Sequence, residues 1–460
     1  MRPVENKNEQ MLRGPLLPAV LRYTVPIILT SVLQLLFNAA DLIVVGRFGG
    51  ELGPDYVAAV GNTGSLTSLL VNLFIGISVG VGVTVAQGLG AKDHEAVHRA
   101  VHTALPAAFV SSAVLTVLGV TFCETFLGWM GTPPDVLPLS AVYMRIYFGG
   151  ITFNLVYNFC AAILRAAGDT KRPLLYLTIA GVINVLLNMV FVIVLQMNVA
   201  GVALATTLSQ GVSAVLVVRA LMRRPDECKL ILRKMRFYKA QLLKAIAIGL
   251  PAGLQSSLFS ISNVMIQSSV NSFGKVLMSG NAAAANIESF LYVAMNAFHQ
   301  TALNFTGQNV GAGNYRRVKQ VMFTTLGCVA VLGTAVGVGC YGFAPQLLSL
   351  YIPGAQEAIY WGTVRMTYIF LPYALCGVMD VSTGCLRGMG VSLTPMLISV
   401  VGVCGIRIGW ILTLFRLPQF HTPQSLYISY PISWVLTFAG QMVLFFIIYR
   451  RRTRNLRQTE

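Results

Sequence analysis

Residues 87–97 read QGLGAKDHEAV, and residues 308–318 read QNVGAGNYRRV. Gln87, Gly90, Ala91 and Val97 return 221 positions later as Gln308, Gly311, Ala312 and Val318. A second pair follows at offset 222: LRAAGDTKRP at 164–173 and LRGMGVSLTP at 386–395. Pro26 and Phe48-Gly49 recur at offset 225 as Pro251 and Phe273-Gly274. Three anchors at a nearly constant offset make the chain two copies of one pattern.

Working outward, each anchor lies between long apolar runs. These are 16–46, 57–86, 100–125, 136–163, 174–196, 199–222, 243–272, 281–306, 318–343, 359–385, 395–416 and 426–449. Each is long enough to cross a bilayer as a helix, which takes about 20 residues. Twelve spans in two halves give six per half. Six is even, so both halves enter the membrane in the same sense, related by an axis along the membrane normal. The expected fold is all-α and integral to the membrane, with twelve transmembrane helices in two six-helix pseudo-symmetric bundles. The expected division is an N-terminal lobe at 1–222, a cytoplasmic basic linker at 223–242, and a C-terminal lobe with a basic tail at 243–460.

Composition points the same way. Of 460 residues, 55% are apolar and 11% charged. Soluble chains carry roughly 25% charge. This excludes a cytosolic enzyme, a secreted disulfide scaffold and a disordered chain. The eight cysteines form no CxxC and fall mostly in apolar runs, where they read as small buried side chains.

The formal charge is +17. With the N-terminus placed inside, the inside segments and their flanks hold 27 of the 33 basic residues. The far side holds Arg47, Lys275 and Arg416, while Arg145, Arg365 and Arg407 lie within spans. This asymmetry puts both termini in the cytoplasm, and the charge is topogenic rather than a nucleic-acid footprint. The first apolar run is too long for a signal h-region and has no A-x-A site, so it reads as an uncleaved span. A bacterial plasma membrane is the expected setting, with membrane lipids as surroundings and a single chain acting as a monomer.

Nothing in the sequence supplies ATP. No GxxxxGK[ST] is present, and the GxGxxG match at 337–342 falls inside an apolar span without strand context. No HExxH or GxSxG occurs either, so no enzyme and no cofactor is expected.

The repeated loops carry folding signals. Gly90 and Gly311 are expected to allow tight turns as spans 2 and 8 end. Arg165 and Arg387 can donate to the last carbonyls of spans 4 and 10. Pro173 and Pro395 suit helix starts.

Three carboxylates lie well inside spans: Asp41, Glu288 and Asp380. A charge at the bilayer centre costs about 2.5–3.5 kcal/mol on insertion scales, so such residues face a cavity or a partner. The alternative role for each is a structural partner of Arg145, Arg365 or Arg407. Asn184 and Asn188 lie four apart, on one face of span 5, and span 6 adds Thr206. If these face Asp41, the oxygens of Asp41, Asn184 and Thr206 suit Na⁺, or Asp41 suits proton exchange. Interhelical hydrogen bonding is the competing reading. Asp380 has Asn158 as its repeat mate. Tyr157 and Tyr368 belong to a group of tyrosines in spans 4 and 10 that either line a cavity for cations or form an interfacial belt. His299 is a lone span-8 histidine, a core residue or a proton relay.

QGLGA and QNVGA after spans 2 and 8, and LRAAGD and LRGMG after spans 4 and 10, resemble multidrug and toxic compound extrusion (MATE) transporters. FNAADLIVVGRFG in span 1 and NAAAANIESF entering span 8 add to the likeness, which covers essentially the whole chain. The resemblance implies export of amphipathic organic cations driven by Na⁺ or H⁺ through alternating access. It matches Asp41 to the family's span-1 aspartate, and Asn184 and Thr206 to its first-lobe cation site. The span-5 aspartate of that site falls on Asn188 here, which removes one negative charge. Second-lobe coupling through Glu288 or Asp380 is therefore expected. The rival function is a lipid-linked oligosaccharide flippase of the same superfamily. Such a protein is expected to line its cavity with several basic residues.

Overall fold

The computed structural model of the chain describes residues 7–457. Among them there are helices and no strands. The long helices are α1 (Leu16–Phe48), α2 (Gly53–Gly90), α3 (His94–Thr121), α4 (Leu137–Gly149 with Ile151–Ala166), α5 (Lys171–Val194) and α6 (Asn198–Met222). The second set is α7 (Lys239–Asn271), α8 (Lys275–Gly311), α9 (Tyr315–Gly342), α10 (Gln356–Ile369 with Tyr373–Gly388), α11 (Leu393–Arg416) and α12 (Pro423–Arg457). α4 and its repeat mate α10 both bend by 47°. The first breaks at Gly150 and the second ahead of Tyr373, next to Pro372, where a helix hydrogen bond is lost.

Nine single helices and these two bent pairs are long and apolar enough to cross a bilayer. α8 is as long but more polar: it carries Asn281, Glu288, Asn296, His299, Asn304, Gln308 and Asn309 along its length. Most of these sit inside the protein and not against lipid. Intramembrane polar residues of this kind face the bundle interior.

The repeated loops explain where helices stop and restart. Asp93 accepts the Ala96 N–H at 2.9 Å, and its repeat mate Asn314 accepts that of Arg317 at 3.1 Å. Each is an N-cap worth about 1 kcal/mol. The left-handed residues are Lys92 (φ 55°) and Gly313 (φ 69°). Gly90 and Gly311 only end their helices. The turn expected at these glycines therefore falls two residues later. After α4 and α10 the left-handed positions are Gly168 and Gly390, again 222 apart. The next N–H then reaches back, from Asp169 to the Leu164 carbonyl and from Val391 to that of Leu386.

Packing groups the chain into two compact units. One is built on Val25–Ser257, the other on Glu9–Thr24 and Leu258 onward. Helices α1 and α7 are thus each shared between units, and the change falls beside Pro26 in α1 and just beyond Pro251 in α7. In the first unit α2 crosses the early part of α7 so closely that a Cβ on Gly76 would lie 2.4 Å from the Gly253 nitrogen.

The segment between α6 and α7 is largely exposed but is tied to the first unit at several points. His102 Nε2 accepts the Ile231 N–H at 3.0 Å, and Thr103 Oγ1 accepts that of Tyr238 at 3.2 Å. Leu230 and Cys228 are buried, and burial pushes the Cys228 thiol up to about 12. In the second unit the chain start is held similarly: the Met11 carbonyl accepts from Arg317 Nε and Asn309 Nδ2, both at 3.1 Å.

The second unit centres on α8 packed against the later half of α10. A Cβ on Gly384 would lie 2.6 Å from the His299 carbonyl, so only glycine allows this approach. Gly384→Ala is expected to cost about 1–3 kcal/mol, as overpacking against backbone does. A lowered apparent melting temperature in detergent checks it; an unchanged one would mean that the two helices can part freely.

Candidate functional site

The first unit assembles four of the residues singled out in the sequence. α1 supplies Asp41, α5 supplies Asn184 and Asn188 one turn apart, and α6 supplies Thr206. Asn188 Nδ2 donates to Asp41 Oδ1 at 2.5 Å, and Thr206 Oγ1 donates to Asp41 Oδ2 at 3.2 Å. Asn184 joins both neighbours: its Oδ1 accepts from Asn188 Nδ2 at 3.3 Å, and its Nδ2 donates to Thr206 Oγ1 at 3.4 Å. Asp41 is 7% exposed. Directly after Asn188 the helix widens into a π turn, Met189–Val194. Such insertions are frequent at functional sites.

The chemistry is that of a small oxygen cage. Asp41 forms no salt bridge among the described residues, so only neutral donors offset its charge. Asn188 Oδ1 is buried and lacks a hydrogen-bond partner there. The cage offers carboxylate, amide and hydroxyl oxygens, the donor set of a hard cation. No group of three or more His, Cys, Asp or Glu suited to a metal occurs among the described residues.

The second unit divides its carboxylates between two settings. Glu288 Oε2 meets Arg365 Nη2 at 2.5 Å, and Arg365 Nη1 also donates to the Asn281 carbonyl at 3.3 Å. Glu288 thus has the structural partner that was its alternative role. Asp380, 8% exposed, has no such contact: its Oδ2 is buried and lacks a hydrogen-bond partner among the described residues. Its own backbone carbonyl accepts from His299 Nδ1 at 2.7 Å. That fixes the proton on Nδ1 and leaves His299 Nε2 to accept from Arg387 Nη1 at 3.5 Å. Arg387 is also the charged neighbour of Asp380. Its side chain therefore turns to His299 and Asp380, a role the loop motif did not reveal.

The remaining candidates scatter. Tyr157 is in the first unit's core, and its hydroxyl donates to the Pro173 carbonyl at 3.1 Å. Asn158 is half-buried and donates to the Asn154 carbonyl at 2.9 Å. Tyr368 is half-buried, Tyr373 is 1% exposed and Tyr360 is 58% exposed, so the tyrosines differ widely in burial. Arg145 pairs with Glu124 at 2.8 Å, both largely exposed. Of the three in-span arginines, only Arg365 and Arg407 are buried.

Two similar six-helix halves, each with a buried carboxylate and a bent fourth helix, define a polytopic helical membrane protein. The chain belongs to the MatE family, whose pattern matches residues 26–190 and 251–411. The probable multidrug resistance protein YoeA of Bacillus subtilis is 28% identical over 90% of each chain. A FAD transporter of Shewanella oneidensis is 24% identical over 86% of each. Among solved structures, a MATE protein in complex with MaL6 superposes with a TM-score of 0.89 at 20% identity. That match covers 98% of this chain and all of the other.

Proposed function

We propose that this protein is a secondary active exporter of amphipathic compounds, organic cations among them, in exchange for Na⁺ or H⁺. It works in the plasma membrane, with both termini in the cytoplasm, as a single chain of two lobes. The observation that carries the reading is the closed cage around Asp41. A lone buried carboxylate met only by neutral donors is a group whose charge an incoming cation can cancel. Alternating access then needs that cation to bind one arrangement of the lobes better than the other. Names of relatives range from multidrug resistance to FAD transport, so cargo class must come from this chain's own residues.

Coupling is assigned first to Asp41 and second to Asp380, because Glu288 is already paired with Arg365. The test is dye movement in proteoliposomes under a Na⁺ gradient or a pH gradient imposed separately. Movement under one gradient, lost in Asp380→Asn, would place the second lobe in the coupling path. Unchanged movement in that variant would leave Asp41 alone. No movement of dye in folded wild-type protein would overturn the exporter reading in favour of the lipid-linked flippase.

A further inference from the structure

Arg365 and Arg407 are buried in the second unit, and they share one carboxylate. Glu288 is taken by Arg365 at 2.5 Å. It reaches Arg407 only as a charged neighbour, without a salt bridge. Arg407 is 5% exposed, and the hydrogen bond recorded for it runs from Nε to Ser433 Oγ at 3.0 Å. A guanidinium has five N–H donors. No acceptor among the described residues meets its terminal nitrogens. Its plane lies over the Tyr430 ring, 4.0 Å from the centroid, with Trp434 at 5.8 Å. The groups that face it are Tyr430, Cys376, Glu288 and Cys404, and of these Glu288 is held by Arg365.

Two further observations single out this place. The π turn of α11, Val400–Gly405, ends two residues before Arg407. α5 also carries a π turn, Met189–Val194, but in another register, since 400–405 falls on 178–183 at the loop offset of 222. At the loop offset of 222, position 407 falls on Val185, beside Asn184 of the first-unit cage. The repeat therefore carries a carboxylate cage in one half and an unpaired guanidinium at the matching level of the other.

We propose that Arg407 binds an oxyanion, carboxylate or phosphate, carried by the exported compound. Its cargo is then zwitterionic or anionic as well as amphipathic. A planar fork with free terminal donors fits an oxyanion in bidentate fashion, and Tyr430 supplies the apolar floor. The inference rests on the exporter reading and narrows its substrate class.

The test uses two rhodamines that differ only at one group: the free acid, a zwitterion, and its methyl ester, a cation. Binding to purified full-length protein in neutral detergent is followed by fluorescence anisotropy, with no gradient present. The acid is expected to bind about tenfold tighter than the ester, the scale of one charge-assisted hydrogen bond. Arg407→Gln should shrink that preference to about twofold, mainly by weakening binding of the acid. In wild-type protein, benzoate and inorganic phosphate should displace the acid but not the ester, which needs no variant to fold. Equal binding of both dyes, or an unaltered preference in Arg407→Gln that melts like wild type, overturns the proposal. Displacement of the acid by phosphatidylglycerol but not by benzoate would make the occupant a lipid headgroup, and also overturns it. Binding as expected without gradient-driven movement would instead fail the exporter reading alone.

Discussion

Asp41→Asn is expected to reduce gradient-driven dye movement in proteoliposomes to the protein-free background, with little change in melting temperature. Asparagine keeps the shape of aspartate and can still accept from Asn188 or Thr206, which now donate at 2.5 and 3.2 Å. What it removes is the charge. Thermal stability should therefore hold, because a buried carboxylate without a cationic partner does not stabilise the lobe. Transport should fail, because cation binding no longer changes the charge of the cage. Transport at wild-type rate would mean that the cage is structural amide bonding and nothing more. A companion variant, Asn188→Asp, restores the second carboxylate that the family resemblance assigns to this position. Two carboxylates at this separation hold a cation between them more readily than one. Dye movement should then depend more strongly on Na⁺.

The sequence made the architecture legible because bilayer crossing leaves few choices. Apolar length and a repeat at offset 221–225 together point to the span number, and loop charge adds an expectation of sense. The cage was legible in outline too: Asn184 and Asn188 share a helix face by spacing alone, and the family resemblance pointed to Thr206 in span 6. Their convergence on Asp41 was not, because contacts between α1 and α5 span 147 positions in sequence. The sharing of α1 and α7 between units is equally silent in a hydropathy pattern. Only the repeated prolines, Pro26 and Pro251, mark it. Pairing was the least legible property. Arg145, Arg365 and Arg407 look alike in sequence, yet one lies exposed with Glu124, one takes Glu288, and one stacks on Tyr430. Tyr157 was illegible for a related reason, since a tyrosine in an apolar span gives no sign of where its hydroxyl points.

The Glu288–Arg365 contact gives the largest expected effect on stability. Glu288→Gln leaves the Arg365 guanidinium buried beside an amide, and Arg365→Gln leaves Glu288 without its cation. Breaking a buried pair from one side costs about 3–5 kcal/mol, whereas removing both partners is often nearly neutral. Each single variant should thus melt well below wild type, and Glu288→Gln with Arg365→Gln should recover most of the loss. The cycle isolates the pair as far as each single variant removes the contact without making a new one; Glu288→Gln keeps its volume, whereas Arg365→Gln shortens the side chain. Transport separates the two roles proposed for Glu288. If the pair only holds α8 against the first half of α10, the double variant exports at close to the wild-type rate. If Glu288 takes up the coupling ion, the double variant is as stable as wild type and still inactive. Coupling would then move from Asp41 to the second lobe, as the missing aspartate at Asn188 first suggested.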